Sequence, residues 1–362
     1  MMTKKELVKI ASAPEYYEKY GIQPDKVAIK EDGMHTDGES GNYEWWYADI
    51  NFDDGSNLVI TFHTKPFTSP QLPLAPMVSI DFNGADGKNI SKMFNGQASD
   101  FSASTEKCDV KIGKNEFKGN LNSYTIHVEI EDLVADVVMT KMIPSWRPST
   151  VHVLYGAEEQ YEYGWLVAIP KGQVTANIQY AGQQKSYQGV GYHDHNWGNK
   201  NLIGLKHHGF WGRAEVDGYT FINAINYAPK EYGKQNFTMF MLAKGDEIIA
   251  DDESKVTFSS SNEFIDEVTN KPIAKNISYL YDDGDKKYKI SYEIENVILQ
   301  MRMINVLPPE QQAAMKAQQM DPAYLRFTGI TTLEIFDHDE LTEKHSGNAI
   351  WESMYFGNPE DF

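Results

Sequence analysis

The sequence predicts a mostly-β fold, and three observations carry that reading. Apolar and polar residues alternate in many short runs, Gly, Asn and Asp clusters separate the runs, and rings are abundant. There are 21 Tyr, 17 Phe and 7 Trp among 362 residues. Alternation with period two buries one face of a strand. Gly, Asn and Asp tolerate turn geometries, and aromatic side chains suit a pleated, half-buried surface.

The elements follow in order. The first twenty residues carry charges throughout and fit a short helix, broken near Pro14. Leu58 to His63, Val78 to Phe82 and Tyr124 to Ile130 then alternate as strands. Asp53-Asp54-Gly55, Asn83-Gly84 and Asp86-Gly87 are turn signals. Past the midpoint, Phe210 to Val216, Thr220 to Asn226, Thr238 to Leu242, Lys287 to Glu295 and Thr331 to Phe336 read as strands. Asp217-Gly218 predicts a tight hairpin between the first two. Pro308 to Gln319 is the exception. It holds Glu, Gln, Ala and Met without β-branched residues, so it reads as a helix with Pro308 and Pro309 in its first turn.

Many short strands at turn-punctuated spacing imply sandwiches or barrels rather than alternating β/α units. No Gly-rich loop follows a strand, which argues against nucleotide-binding Rossmann and P-loop folds. The length suggests about two domains, with a boundary near residues 190 to 205.

Composition narrows the function. The formal net charge is −19, from 52 acidic against 33 basic residues. A phosphate backbone or an anionic membrane needs a basic face, so nucleic acid is not an expected partner. Residues 1 to 20 lack the apolar core of a signal peptide. No run approaches the ~18 apolar residues of a membrane span. A cytoplasmic location is the expectation, as a monomer or homodimer. The single cysteine, Cys108, permits no intrachain disulfide and argues against a Cys-based zinc site; it reads as structural.

Three stretches concentrate chemistry. In Tyr43-Glu44-Trp45-Trp46-Tyr47, strand parity puts Glu44 and Trp46 on one face and Trp45 and Tyr47 on the other. An acid against an indole can stay protonated near neutral pH; a core strand whose Glu44 meets an Arg or Lys fits equally well. In Gly189 to Gly198, His193, His195 and Trp197 share one face, and Tyr192, Asp194 and Asn196 the other. The histidine pair could chelate a metal given a third ligand such as His63, His207 or His208, but no spacing is diagnostic. Acid–base chemistry by Asp194 with its flanking histidines is favoured over a metal, beside a purely structural hydrogen-bond network. In Lys206 to Arg213, Trp211 and Arg213 share a face, and Arg213 could pair with a buried acid. No Gly-x-Ser-x-Gly elbow is present, and no carboxylate pair stands out as a glycosidase site.

The stretches Glu44-Trp45-Trp46-Tyr47 and Gly191-Tyr192-His193-Asp194-His195-Asn196-Trp197-Gly198 resemble the hydroxyneurosporene synthase family, which includes AttH-like lipocalin-type proteins. Kievitone hydratase and fungal Diels–Alderases are similar relatives. Gly164 to Pro170 also matches, and Ala349 to Glu352 does so loosely, over about residues 38 to 357. The resemblance implies two lipocalin-like, calycin-type antiparallel β-barrel domains with few short helices. On that basis residues 1–25 are an N-terminal extension, 26–200 the first barrel and 201–362 the second, with a ligand pocket at or near their junction. It further implies metal-free, cofactor-free chemistry on a C=C bond of a hydrophobic isoprenoid- or polyphenol-like molecule.

Hydrating an unactivated alkene needs a strong acid and an aromatic wall for the carbocation. Asp194 is the expected acid, with Glu44 as its competitor. Trp46, Trp197 and Trp211 are the expected wall, and His193, His195 and Asn196 orient the acid or the water. Tyr47, Tyr192, His208 and Arg213 complete the expected substrate contacts. A cyclase or isomerase in the same pocket and a non-catalytic ligand carrier are the rival functions.

Overall fold

The computed structural model describes residues 7–306, 309–317 and 320–361. The chain divides into two compact units. The first is Ile10–Leu154 with Gln160–Leu202. The second runs from Ile203 and takes in Tyr155–Glu159 and the described residues before Ile10.

One antiparallel sheet forms the first unit. Its path is Asn89–Asn95, Met77–Asn83, Asn57–His63, Tyr43–Phe52, Gln183–Gly198, Tyr161–Tyr180, Leu133–Lys141, Ser123–Ile130, Asn115–Gly119, Asp109–Ile112 and Phe101–Ala103. Period-two alternation gives each strand one apolar face, and these faces meet as a single core. Trp46, Ala48, Ile50, Leu58, Ile60, Phe62, Val128 and Val137 all point into it. The sheet curls back on itself. Phe62 meets Phe117 edge-on across the interior at 5.6 Å. Lys92 on one outer strand bonds Glu131 and lies 3.4 Å from Asp132, both in the turn between Ser123–Ile130 and Leu133–Lys141.

The second unit repeats the device with the path Glu247–Ala250, Asn236–Lys244, Tyr219–Tyr227, His208–Val216, Glu340–Tyr355, Ala323–Asp337, Lys286–Arg302, Pro272–Asp282 and Val256–Ile265. Phe240 and Tyr281, from strands near opposite ends of this path, stack at 5.5 Å and tie the curl together.

The predicted strands are all present, most of them longer than their alternating cores. Lys287 to Glu295 belongs to Lys286–Arg302, and Thr331 to Phe336 to Ala323–Asp337. Asp217 and Gly218 both have positive φ, 48° and 83°, as a two-residue hairpin loop requires. The predicted late helix is seen as Pro309–Ala317; Pro308, Gln318 and Gln319 lie outside the described residues. Pro14 does not break the N-terminal helix. It opens it, as the first residue of Pro14–Tyr20, where the missing N–H costs nothing. Gly21, with φ 63°, closes that helix in the left-handed conformation. Among the described residues no helix is long and apolar enough to cross a membrane.

Phe240 is fully buried, so Phe240→Ala is expected to destabilise the protein by about 3–5 kcal/mol. Urea denaturation followed by tyrosine and tryptophan fluorescence measures it. A loss of under about 1 kcal/mol would mean that this stack does not close the second sheet.

Candidate functional site

The strand Gln183–Gly198 lies between Tyr43–Phe52 and Tyr161–Tyr180. Its register pairs Trp197 with Glu44, His195 with Trp46, Asp194 with Tyr47 and Asn196 with both Trp45 and Trp165. Alternation then sorts the side chains. His193, His195 and Trp197 share the core face with Glu44 and Trp46. Tyr192, Asp194 and Asn196 share the opposite face with Trp45, Tyr47, Tyr163 and Trp165.

The core face carries a buried ionic cluster. A 3₁₀ turn, Ile29–Asp32, inserts Asp32 and Glu31 beneath the sheet. His195 lies between two carboxylates, with Nε2 2.7 Å from Glu44 Oε1 and Nδ1 3.2 Å from Asp32 Oδ1. Burial disfavours its charge, but the bonds to Asp32 and Glu44 outweigh burial and raise its pKa to about 9. His195 is therefore an imidazolium at neutral pH. Glu44 also accepts from the backbone N–H groups of His35 and Thr36, at 2.8 and 2.9 Å, and from the Thr36 hydroxyl at 2.7 Å. Burial pushes Glu44 up, yet the His195 bond and the histidine charges hold it below its usual range. Asp32 likewise resists burial and is held low by His193 and His195, and it accepts the Tyr124 hydroxyl. His193 anchors the neighbouring strand through Nδ1, 2.8 Å from the Tyr47 carbonyl.

This cluster answers two sequence expectations. The partner of Glu44 is a histidine, not an Arg or Lys; Arg147 instead pairs with buried Glu31 at 2.6 Å. Both nitrogens of His195 face carboxylates. His63 lies opposite Trp45, on the other side of the sheet. Asp32, Cys108 and His193 do bring one ligand atom each within 4.8 Å of one another. Burial, then the charges of Asp32 and Asp109, push the Cys108 thiol well up.

The opposite face is different in kind. Asp194 Oδ2 accepts from Trp165 Nε1 at 2.9 Å and from the Tyr192 hydroxyl at 2.7 Å; Oδ1 accepts from Asn196 Nδ2 at 2.8 Å. Asn196 is itself fixed by the Tyr163 hydroxyl at 2.6 Å. Burial is the leading influence and raises the Asp194 pKa against these three donors. Rings surround the carboxyl group. Tyr47 meets Tyr192 at 6.4 Å, Trp45 meets Tyr163 at 6.4 Å, and Trp146 stands edge-on to Trp165 at 5.5 Å.

The sheet thus separates the expected site into two groups. Glu44, Trp46, His193, His195 and Trp197 come together on the core side. Asp194, Tyr192, Asn196 and Tyr47 come together on the other, so Trp46 and Trp197 do not line the surface around Asp194. Sequence reasoning gave no role to Trp165 and Tyr163, although Gly164-Trp165-Leu166 falls inside a matched stretch. It missed Asp32 and Tyr124, which carry no local signal. His208, Trp211 and Arg213 belong to the second unit, on the strand His208–Val216. His208 stacks on Tyr227 at 4.4 Å and Tyr355 at 5.0 Å, and burial, then His207 and Lys206, lower its pKa to about 3. Trp211 and Arg213 share a half-buried face, opposite core-facing Phe210 and Val216.

Comparison with solved structures finds the same fold. CghA, crystallised with Sch210972, has a TM-score of 0.62 at 11% identity and covers 92% of this chain and 97% of its own. A candidate AttH, NE1406 of Nitrosomonas europaea, gives 0.57 at 14%, covering 92% and 98%. Kievitone hydratase of Nectria haematococca gives 0.51 at 12%, covering 91% and 96%. The fold is therefore mostly β and lipocalin-like. These likenesses support the AttH-like part of the expected resemblance, not hydroxyneurosporene synthase itself. No protein-family model matches the chain, and no curated protein does.

The ionic cluster sets a pH window. His195 binds its proton more tightly folded than unfolded. Its contribution to stability is complete below about pH 6.5 and is lost as pH rises through about 9. Asp32 and Glu44 are shifted down, so their contribution is present at neutral pH and lost on acidification. His195→Gln is expected to cost about 3–5 kcal/mol near pH 6, because it strands two buried carboxylates. Urea denaturation between pH 6 and 9.5 should show that gap narrowing as pH rises. A gap constant across the range would remove the charge from His195.

Proposed function

We propose that this chain is a hydro-lyase that adds water to, or removes it from, a C=C bond of a hydrophobic small molecule, with Asp194 as the general acid. The carrying observation is a buried carboxyl group, its pKa raised by burial, set among aromatic rings. An isoprenoid- or polyphenol-like body suits such rings.

The steps follow from what surrounds Asp194. Its carboxyl proton transfers to one alkene carbon, using the π pair to form a C–H bond and leaving a cation on the other carbon. The faces of Trp45, Tyr47, Tyr163, Trp165 and Tyr192 stabilise that cation. Water attacks it, forms the C–O bond and returns a proton to Asp194, so the net change is one water added. The three donors on Asp194 receive the carboxylate as its charge develops, which lowers the barrier to proton loss without reorganisation.

Glu44 is the weaker candidate, since it is held ionised against His195. His193 and His195 act as positioning residues from the core side. These steps do not draw on Trp211, Arg213 or His208, which belong to the second unit. The fold shared with a protein named for hydrating kievitone supports this reading. So does its sharing with CghA, which was crystallised with a small molecule.

The test is untargeted mass spectrometry of a cell extract treated with the protein in oxygen-18 water, beside Asp194→Asn. A product carrying labelled oxygen is expected only with the intact protein, and turnover of the variant should fall by about 10²–10⁴-fold. Activity should also decline as pH rises and Asp194 ionises. A rearranged product without label would instead make the chain a cyclase or isomerase. A molecule bound and unaltered by both proteins would make it a carrier.

A further inference from the structure

We propose that the first unit holds a second ligand site, for a protonated amine on a compact aromatic body, in a cavity on the core side of the strand Gln183–Gly198. This site is independent of the Asp194 surface, because its wall residue Trp197 projects from the other face of that strand.

The cavity has a volume of about 220 Å³. An apolar cavity of roughly 150 Å³ takes benzene, so this one has room for a single ring with a short side chain. Two stacked ring pairs form its sides. His35 lies on Trp197 with centroids 3.6 Å apart, and Tyr20 on His152 at the same distance. His152 in turn stands edge-on to Trp197 at 5.7 Å. Leu166 and Val151 supply the apolar remainder.

One polar contact in this wall is long: His152 Nδ1 lies 3.5 Å from the Glu162 carboxylate, outside hydrogen-bond geometry. A closer donor from a ligand would satisfy that carboxylate better. His35 donates from Nε2 to the Glu31 carbonyl at 2.8 Å, and burial lowers its pKa to about 4. Its Nδ1 is then an acceptor that suits an N–H of a ligand.

Charge selects the ligand class. Two carboxylates line the cavity, Glu31 and Glu162. Arg147 neutralises Glu31 at 2.6 Å. Among the described residues the ion-pair contact of Glu162 is His152 Nδ1, 3.5 Å away. Burial opposes its charge, and the His152 contact still holds it low, with lesser effects from His35 and Lys19. An anion entering would meet this carboxylate, whereas an ammonium group would pair with it beside the faces of Trp197 and Tyr20.

Backbone strain points to the same place. Val151 lines the cavity with φ 76°. A β-branched residue is rarely held in that left-handed region, and such strain persists where the surrounding structure enforces it. The Val151 N–H bond to the Pro148 carbonyl, 2.8 Å, holds it there.

Isothermal titration of the full chain with phenethylamine tests the proposal, with 2-phenylethanol and 3-phenylpropanoate as neutral and anionic matches of its size. Phenethylamine should bind about tenfold or more tighter than either match. Glu162→Gln should remove that preference, Leu166→Phe should weaken binding by filling the cavity, and Asp194→Asn should leave binding unchanged. Equal binding of the three probes, no binding of phenethylamine, or an undiminished preference in Glu162→Gln would overturn it. Loss of binding in Asp194→Asn would also overturn it, by placing the ligand on the other face. The site is judged apart from the hydro-lyase reading, since neither Glu162 nor Leu166 takes part in that chemistry.

Discussion

The contact on which the first unit depends is the imidazolium of His195 between Asp32 and Glu44. The three residues come from three separate pieces of chain: a 3₁₀ turn, the strand Tyr43–Phe52 and the strand Gln183–Gly198. Taking charge out of water is expensive, and such a group persists only where its partners are complete. Here one cation faces two anions, and the excess negative charge is met by neutral donors. Tyr124 supplies a hydroxyl to Asp32, while Thr36 and the backbone of His35 supply three hydrogen bonds to Glu44. Each donor brings its own segment with it. The cluster therefore specifies register: a one-residue slip of the central strand would carry His195 to the other face and expose both carboxylates to an apolar core.

That register also builds the candidate site. With His195 fixed inward, Asp194 must point the other way, and its strand neighbours Tyr192 and Asn196 go with it. Cross-strand pairing then brings Trp45, Tyr47 and Trp165 alongside. The same register that fixes the core side also fixes Asp194 on the other, because its rotamer is held by three bonds to groups that this register places. His193 reaches across this division through the Tyr47 carbonyl, so the two faces share a backbone though not a surface.

Much of this was legible in the sequence, and the limits have physical causes. Strand existence and the hairpin at Asp217-Gly218 were readable because period-two alternation and positive-φ turn residues are local properties. Parity along Tyr192 to Trp197 was readable for the same reason. Register between strands is not local. Nothing in Tyr43 to Tyr47 says whether Trp45 or Trp46 will lie beside Asp194, and the expectation of Trp46 and Trp197 as its wall failed there. Asp32 was invisible because Lys30-Glu31-Asp32 looks like any solvated charged run; only the fold buries it. Pro14 was misread since a proline opens a helix as readily as it breaks one, and the difference lies in where the preceding strand ends. The likeness to lipocalin-type proteins holds at the level of the fold, which alternation and turns specify locally.

Two carboxylates, Glu44 and Asp194, sit on neighbouring strands of one sheet, and their environments drive them apart. Both are buried, so burial raises both. Glu44 is compensated by a full positive charge and three further hydrogen bonds, and it stays ionised. Asp194 is hydrogen-bonded by neutral donors, the hydroxyl of a tyrosine, the indole of a tryptophan and an asparagine amide, with a lesser effect from the His193 charge, and burial prevails. Neutral donors stabilise a carboxylate less than an imidazolium does. They can receive a charge that forms during proton transfer, while burial favours the protonated form. A group so balanced can give up its proton and take it back, which is what acid catalysis of alkene hydration asks of it. The contrast between the lowered carboxylate inside and the raised one outside turns on their partners: His195 bonds Glu44, whereas Tyr192, Trp165 and Asn196 bond Asp194.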